Sequence, residues 1–178
     1  MGTVYENTTG NDWNDLMTSA WVSDGIGPTT SSANNITQIT VYLLRIGSPS
    51  GNVQAHIYSC SDATTCDASP AYSSNETLTA SSISTSETAY SFTFSGSPDL
   101  TTYDRIVITV TGGDSSNKIR IRITTLSIVS GWARSADNAS SGWYQNSSQN
   151  IKGSVEGSVA PPPADFIGFP PPPLVVRF

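Results

Sequence analysis

The chain holds a single histidine, His56. A Ser-His-Asp hydrolase would have to run through it, because the nucleophilic hydroxyl needs an imidazole to take its proton. Serine and aspartate are plentiful, but His56 lies between Ala55 and Ile57 in an alternating run. That alternation puts it on the face opposite the core set, with simple surface exposure as the expectation. Glycoside hydrolysis needs two opposed carboxylates, and Glu6, Glu76, Glu87 and Glu156 sit in no motif. The residues predict a protein that is not an enzyme and has no catalytic site.

Cys60 and Cys66 bracket Ser-Asp-Ala-Thr-Thr in what reads as a loop. A disulfide closing that loop is favoured over two free thiols and points to an oxidising final environment. Two thiols without nearby histidine cannot close a zinc site, so no metal centre is expected. A structural calcium would have to draw on Asp62 and Asp67, which flank the cysteine loop, and on Asp114 in a turn, yet no D-x-D-x-D-G loop is present. No cofactor is assigned.

Lys118, Arg120 and Arg122 stand on one face of a strand. They read as a solvated outer face that blunts edge pairing, or more sharply as a contact to acidic neighbours in an assembly. Aromatic faces can stack on the apolar C–H groups of sugars. A bound glycan would therefore be expected at Trp132 and Tyr144, which lie beside Gly131 and Gln145 in loop-like sequence. Trp143 is expected to pack. Five N-x-S/T sequons begin at Asn7, Asn35, Asn75, Asn138 and Asn146. Roughly three would arise by chance at this composition, so they say little about glycosylation.

The elements that must position these residues are strands. Ile39, Val41 and Leu43 alternate with polar neighbours, as do Val53, Ala55 and Ile57, then Tyr90, Phe92 and Phe94, then Ile106, Ile108 and Val110, then Ile119, Ile121 and Ile123. Gly47-Ser-Pro-Ser-Gly51 between the first two runs looks like a hairpin turn, so those strands are expected to pair. Gly112-Gly113-Asp114 makes a later turn, and short strands are expected at Leu126 to Val129, at Trp143 and at Ile151 to Val155. A helix is considered only at Asn11 to Ala20, with Asp12 as its cap. The fold class is all-β: an antiparallel two-sheet sandwich, jelly-roll-like, with an extended proline-rich C-terminal tail. Residues 1–19 form an N-terminal arm or strand, 20–158 the sandwich and 159–178 the tail.

Only 12% of residues are charged, whereas Ser and Thr fill 50 of 178 positions, so the surface is rich in hydroxyls. The formal charge of −6 argues against a nucleic-acid partner, which needs a basic face. No apolar run is long enough to insert in a membrane. The N-terminus shows no basic region followed by an apolar one, so either a signal has been removed or the protein reaches the outside by another route, such as host lysis.

The stretch from Ile36 to Ser59, with Tyr90-Ser-Phe-Thr-Phe94, Leu100, the strand Arg105 to Thr111 and Gly142-Trp143 before a closing strand, resembles the choice-of-anchor type β-sandwich modules of bacterial surface proteins and phage structural proteins. The resemblance covers roughly residues 35 to 157. It implies a jelly-roll-like sandwich on extracellular display and transfers no catalytic residues. This chain lacks the signal, sorting motif and membrane anchor of the surface-protein members, which inclines the reading toward the virion.

Seven of the eleven prolines sit in Pro161-Pro162-Pro163 and Pro170-Pro171-Pro172-Pro173. Proline fixes φ and removes a donor, so this segment should lie extended in a groove, with Phe166, Phe169, Leu174, Val176 and Phe178 as apolar anchors. The expectation is a virion structural protein, such as a capsid decoration, head fibre or tail-associated jelly roll. Its partners would be copies of itself or other virion or surface-assembly subunits, and its location the virion or the extracellular space. The alternatives are a secreted module binding a cell-surface glycan, and an extracellular filament subunit that donates Leu174 to Phe178 as a strand.

Overall fold

The computed structural model describes residues 2–17, 23–28, 33–62, 64–96, 98–100, 103–125, 132–138, 142–146 and 149–159. The tail, with its five apolar anchors, and the segment Leu126 to Val129 lie outside them.

Among the described residues, thirteen strands run in chain order: β1 Gly2–Asn7, β2 Asp12–Leu16, β3 Ser23–Pro28, β4 Ala33–Ile46, β5 Asn52–Tyr58, β6 Tyr72–Thr79, β7 Thr88–Thr93, β8 Arg105–Val110, β9 Lys118–Thr124, β10 Trp132–Asn138, β11 Gly142–Asn146, β12 Asn150–Ile151 and β13 Gly153–Val159. The described residues contain no α-helix, only a 3-10 turn at Ala80–Ser82. The helix considered for Asn11 to Ala20 is therefore a strand over Asp12–Leu16. Its residues pair in antiparallel register with Ile123 to Ile119, and an edge partner beside a waiting strand overrides a weak cap signal.

Every strand pairing is antiparallel, and the strands form two sheets. In the first, β4 is the spine. One edge of it pairs with β7, and the other is shared end to end by β13 and β9, with β1 outside β13 and β2 outside β9. The second sheet runs β11-β10-β3-β8-β5-β6.

The period-2 pattern explains what lies between the sheets. Ile39, Val41 and Leu43 of β4, Val53, Ala55 and Ile57 of β5, Ile106 and Ile108 of β8, and Ile119, Ile121 and Ile123 of β9 are all buried in one core with Phe92. Each such side chain contributes about 1.5–3 kcal/mol when fully buried.

The strands joined by Gly47 to Gly51 do not pair. β4 belongs to the first sheet and β5 to the second, so this turn is a corner between sheets and not a hairpin. The same holds for the turn from β8 to β9. The two corners brace each other: Ser48 N–H donates to Asn117 Oδ1 at 3.0 Å, Asn52 N–H to Thr111 Oγ1 at 2.9 Å, and Thr111 N–H to the Asn52 carbonyl at 3.0 Å. Gly51, with φ 82°, and Gly112 meet so closely that a Cβ on Gly112 would lie 2.4 Å from the Ser50 carbonyl oxygen.

At Lys152 and Gly153 the chain leaves β9 and moves onto β4. The side chains of Tyr5 and Asn7 pin that crossing by both donating to the Ile151 carbonyl, at 2.5 and 3.1 Å.

Candidate functional site

Two outer faces carry the polar and aromatic side chains. On the first sheet, the alternation of β9 sends Ile119, Ile121 and Ile123 inward, and Lys118, Arg120 and Arg122 outward. Strand β2 lies beside it and brings Trp13 opposite Arg122 and Asp15 opposite Arg120. Asp15 Oδ2 meets Lys118 Nζ at 2.5 Å, and its Oδ1 accepts from Arg120 Nε at 2.6 Å. Burial works to raise the Asp15 carboxyl, but the hydrogen bonds from Lys118 and Arg120 outweigh it and hold its pKa below the ordinary value.

Glu87 approaches the basic side chains from the other side. Its Oε1 meets Lys152 Nζ at 2.7 Å, and its Oε2 lies 3.6 Å from Arg122 Nε. The Arg122 guanidinium sits 4.7 Å from the Trp13 ring centre and donates to the Gly10 carbonyl at 2.7 Å, while Lys152 Nζ sits 4.1 Å from that of Tyr42. Among the described residues, the basic stripe thus finds acidic partners within its own chain.

On the second sheet, Gln54, His56 and Tyr58 of β5 face away from the core. Cross-strand register sets Tyr58 opposite Arg105 and His56 opposite Val107 on β8. An outer face should be wet, yet Arg105 is 2% and Val107 0% exposed. The Trp143 ring on β11 also reaches this face, lying 5.0 Å from the Tyr58 ring, tilted by 55°. Four inter-strand spacings, roughly 19 Å in a flat sheet, separate β11 from β5 in the strand order. The sheet therefore curls until β11 returns over its own outer face. Gly25 of β3 pairs with Val107 of this face.

His56 is half-buried in this curl, a correction to the expected simple exposure. Its Nδ1 is 2.8 Å from Ser73 Oγ, and burial pushes its pKa down, so the ring is neutral at neutral pH. Burial also lowers the pKa of Arg105, against the pull of Asp104. The guanidinium donates to the carbonyls of Tyr103 and Asp104.

The cysteine loop adjoins this end of the sheet. Cys60 and Cys66 are disulfide-bonded, and Asp104 Oδ1 accepts the Cys60 N–H at 3.0 Å. Asp62 spends its carboxylate on the N–H groups of Thr64 and Thr65, at 2.7 and 2.8 Å, and these bonds lower its pKa. Asp114 does likewise for Ser116 and Asn117. Among the described residues, no three His, Cys, Asp or Glu side chains gather as metal ligands.

Of the expected glycan residues, Trp132 opens β10 opposite Pro28, and Tyr144 pairs with Ala136. Both lie in strands, not loops, and their side chains are outside the described residues. Sequence reasoning missed Tyr58, although alternation from His56 puts it on the same face. Among the sequons, Asn7 is buried with its amide bonded to Ile151 and is closed to glycosylation, whereas Asn35 and Asn75 are exposed.

Compared with protein families, curated proteins and solved structures, the chain matches none.

Proposed function

We propose that this chain is a non-enzymatic structural protein displayed on the outside of a viral particle, such as a phage capsid decoration, head fibre or tail-associated jelly roll. The observation that carries the reading is strand order. The path β2-β9-β4-β7 in one sheet faces β3-β8-β5-β6 in the other, and from β2 to β9 the chain changes sheet at every step except β5 to β6. That wrapping supports a jelly roll, an architecture common to viral capsid and lectin domains. The resemblance to choice-of-anchor modules of phage structural proteins, the hydroxyl-rich composition and the proline-rich segment 160–178 favour the particle within that choice. Fold alone does not give function.

The test is deletion of residues 160–178. The expected product is a sandwich that still unfolds cooperatively but no longer joins its particle or oligomer, read by sedimentation and by electron microscopy of the native source. A truncated chain that unfolds makes the tail part of its own core, and one that assembles normally removes the tail as docking element.

A second reading, a secreted module that binds a glycan, is favoured by one observation: the contact between Tyr58 and Trp143 on the curled outer face.

A further inference from the structure

We infer that the curled outer face of the second sheet binds an uncharged sugar chain, with Tyr58 and Trp143 as the stacking rings and His56 and Ser73 as the polar edge. This deepens the glycan reading and rests on it for the ligand class. It moves the site away from Trp132 and Tyr144.

The rings come from strands far apart in the sheet and meet only because the sheet curls. Both are half-buried, so each keeps part of its surface toward solvent. Tyr103, 42% exposed and one of the few large apolar side chains left open among the described residues, stands two residues before Arg105, the cross-strand partner of Tyr58. The T-shaped contact between His56 and Tyr58, 6.4 Å between centres, joins the polar edge to the rings. The platform is also held rigidly, since the disulfide and the Asp104 bond to Cys60 lock the chain directly after Tyr58. A preorganised site loses less entropy on binding.

Charge selects the ligand class. His56 is neutral, Arg105 is fully covered and bonded to backbone carbonyls, and Asp104 is engaged with Cys60. Among the described side chains of this face, none offers a positive charge to reward an acidic sugar. The aliphatic side chain on this face, Val107, is fully covered. What remains is aromatic surface with hydroxyl and imidazole groups, which suits a pyranose better than the apolar core of a protein interface.

Affinity electrophoresis of the full chain in gels containing dextran, galactomannan or hydroxyethylcellulose tests this, with polygalacturonate as the acidic control. At least one neutral polymer should retard the protein and polygalacturonate should not. Tyr58→Ala and Trp143→Ala should each weaken retardation by roughly tenfold in affinity, the scale of one lost aromatic contact. Tyr103→Ala removes an exposed ring with little risk to folding and should weaken it too. Tyr72→Ala, which removes an exposed tyrosine aligned with core-facing Ile57, should leave it unchanged. Retardation unaltered by the Tyr58, Trp143 and Tyr103 changes would leave the glycan reading standing and remove this site. A wild-type chain retarded by no neutral polymer would overturn both. If, in addition, these variants abolished self-association in sedimentation, the face would be a protein contact.

Discussion

Asp15 and Lys118 meet at 2.5 Å across the seam between β2 and β9. The Lys118 side chain is only 14% exposed, so removing its partner leaves a mostly covered ammonium beside Arg120. Asp15→Ala should therefore cost about 2 kcal/mol, above the usual value of an exposed pair. Urea unfolding at pH 7 of the wild type, Asp15→Ala, Lys118→Met and the double variant measures the coupling. A near-additive cycle would show that the pair contributes nothing.

The fold should also show a pH dependence set by His56. Its folded pKa lies below the ordinary value of 6.5, so the unfolded chain binds the proton first as pH falls. The stabilising increment is fully present above that value and is lost as pH drops from there toward the folded pKa. Replacing His56 with Gln should flatten the stability profile just below pH 6.5. A profile with the same slope in both proteins would assign it to other groups.

Gly153 has no room for a side chain. A Cβ there would lie 2.0 Å from the Thr40 carbonyl oxygen, and φ is 155°. Gly153→Ala should lose about 3 kcal/mol or more, because a backbone atom cannot move aside as a flexible side chain can. Gly2→Ala, with nothing within 4 Å, should change stability by less than about 0.5 kcal/mol. Thermal unfolding of the two variants side by side checks the contrast.

Cys60 and Cys66 close a short loop, with a sequence separation of 6. The chain entropy removed is correspondingly limited, and loss of the bridge in a Cys60→Ala, Cys66→Ala variant should cost at most about 2 to 3 kcal/mol. Thiol titration of the denatured, unreduced protein should find no reactive sulfhydryl. Two per chain would contradict the bridge.

Much of the core was legible because one physical rule, alternation, decides which side chains of a half-buried strand go inward. Ile119, Ile121 and Ile123 follow it without exception. Alternation is silent about partners. Gly47 to Gly51 has the chemistry of a hairpin, but the same glycines serve a corner, and only the Asn117 and Thr111 contacts some sixty residues away decide between them. Asp12 to Leu16 carries no period of its own and becomes a strand through its register with β9. The basic stripe was visible, while its partners were not: Asp15 and Glu87 lie far from it in sequence. Tyr58 and Trp143 meet only through curvature of a whole sheet, which no local pattern encodes.

The position of β4 has a consequence for how the protein is made. One of its edges is paired by β7, but the other waits for β9 and finally for β13. A ribosome adding about 5 to 20 residues per second needs on the order of five to twenty seconds to travel from residue 46 to residue 153. Until then Ile39 and Val41 belong to an unfinished sheet, with the edge that β13 fills open to any other strand. The nascent chain is therefore open to pairing with the wrong molecule over this stretch of its synthesis, and that edge closes only when β13 emerges.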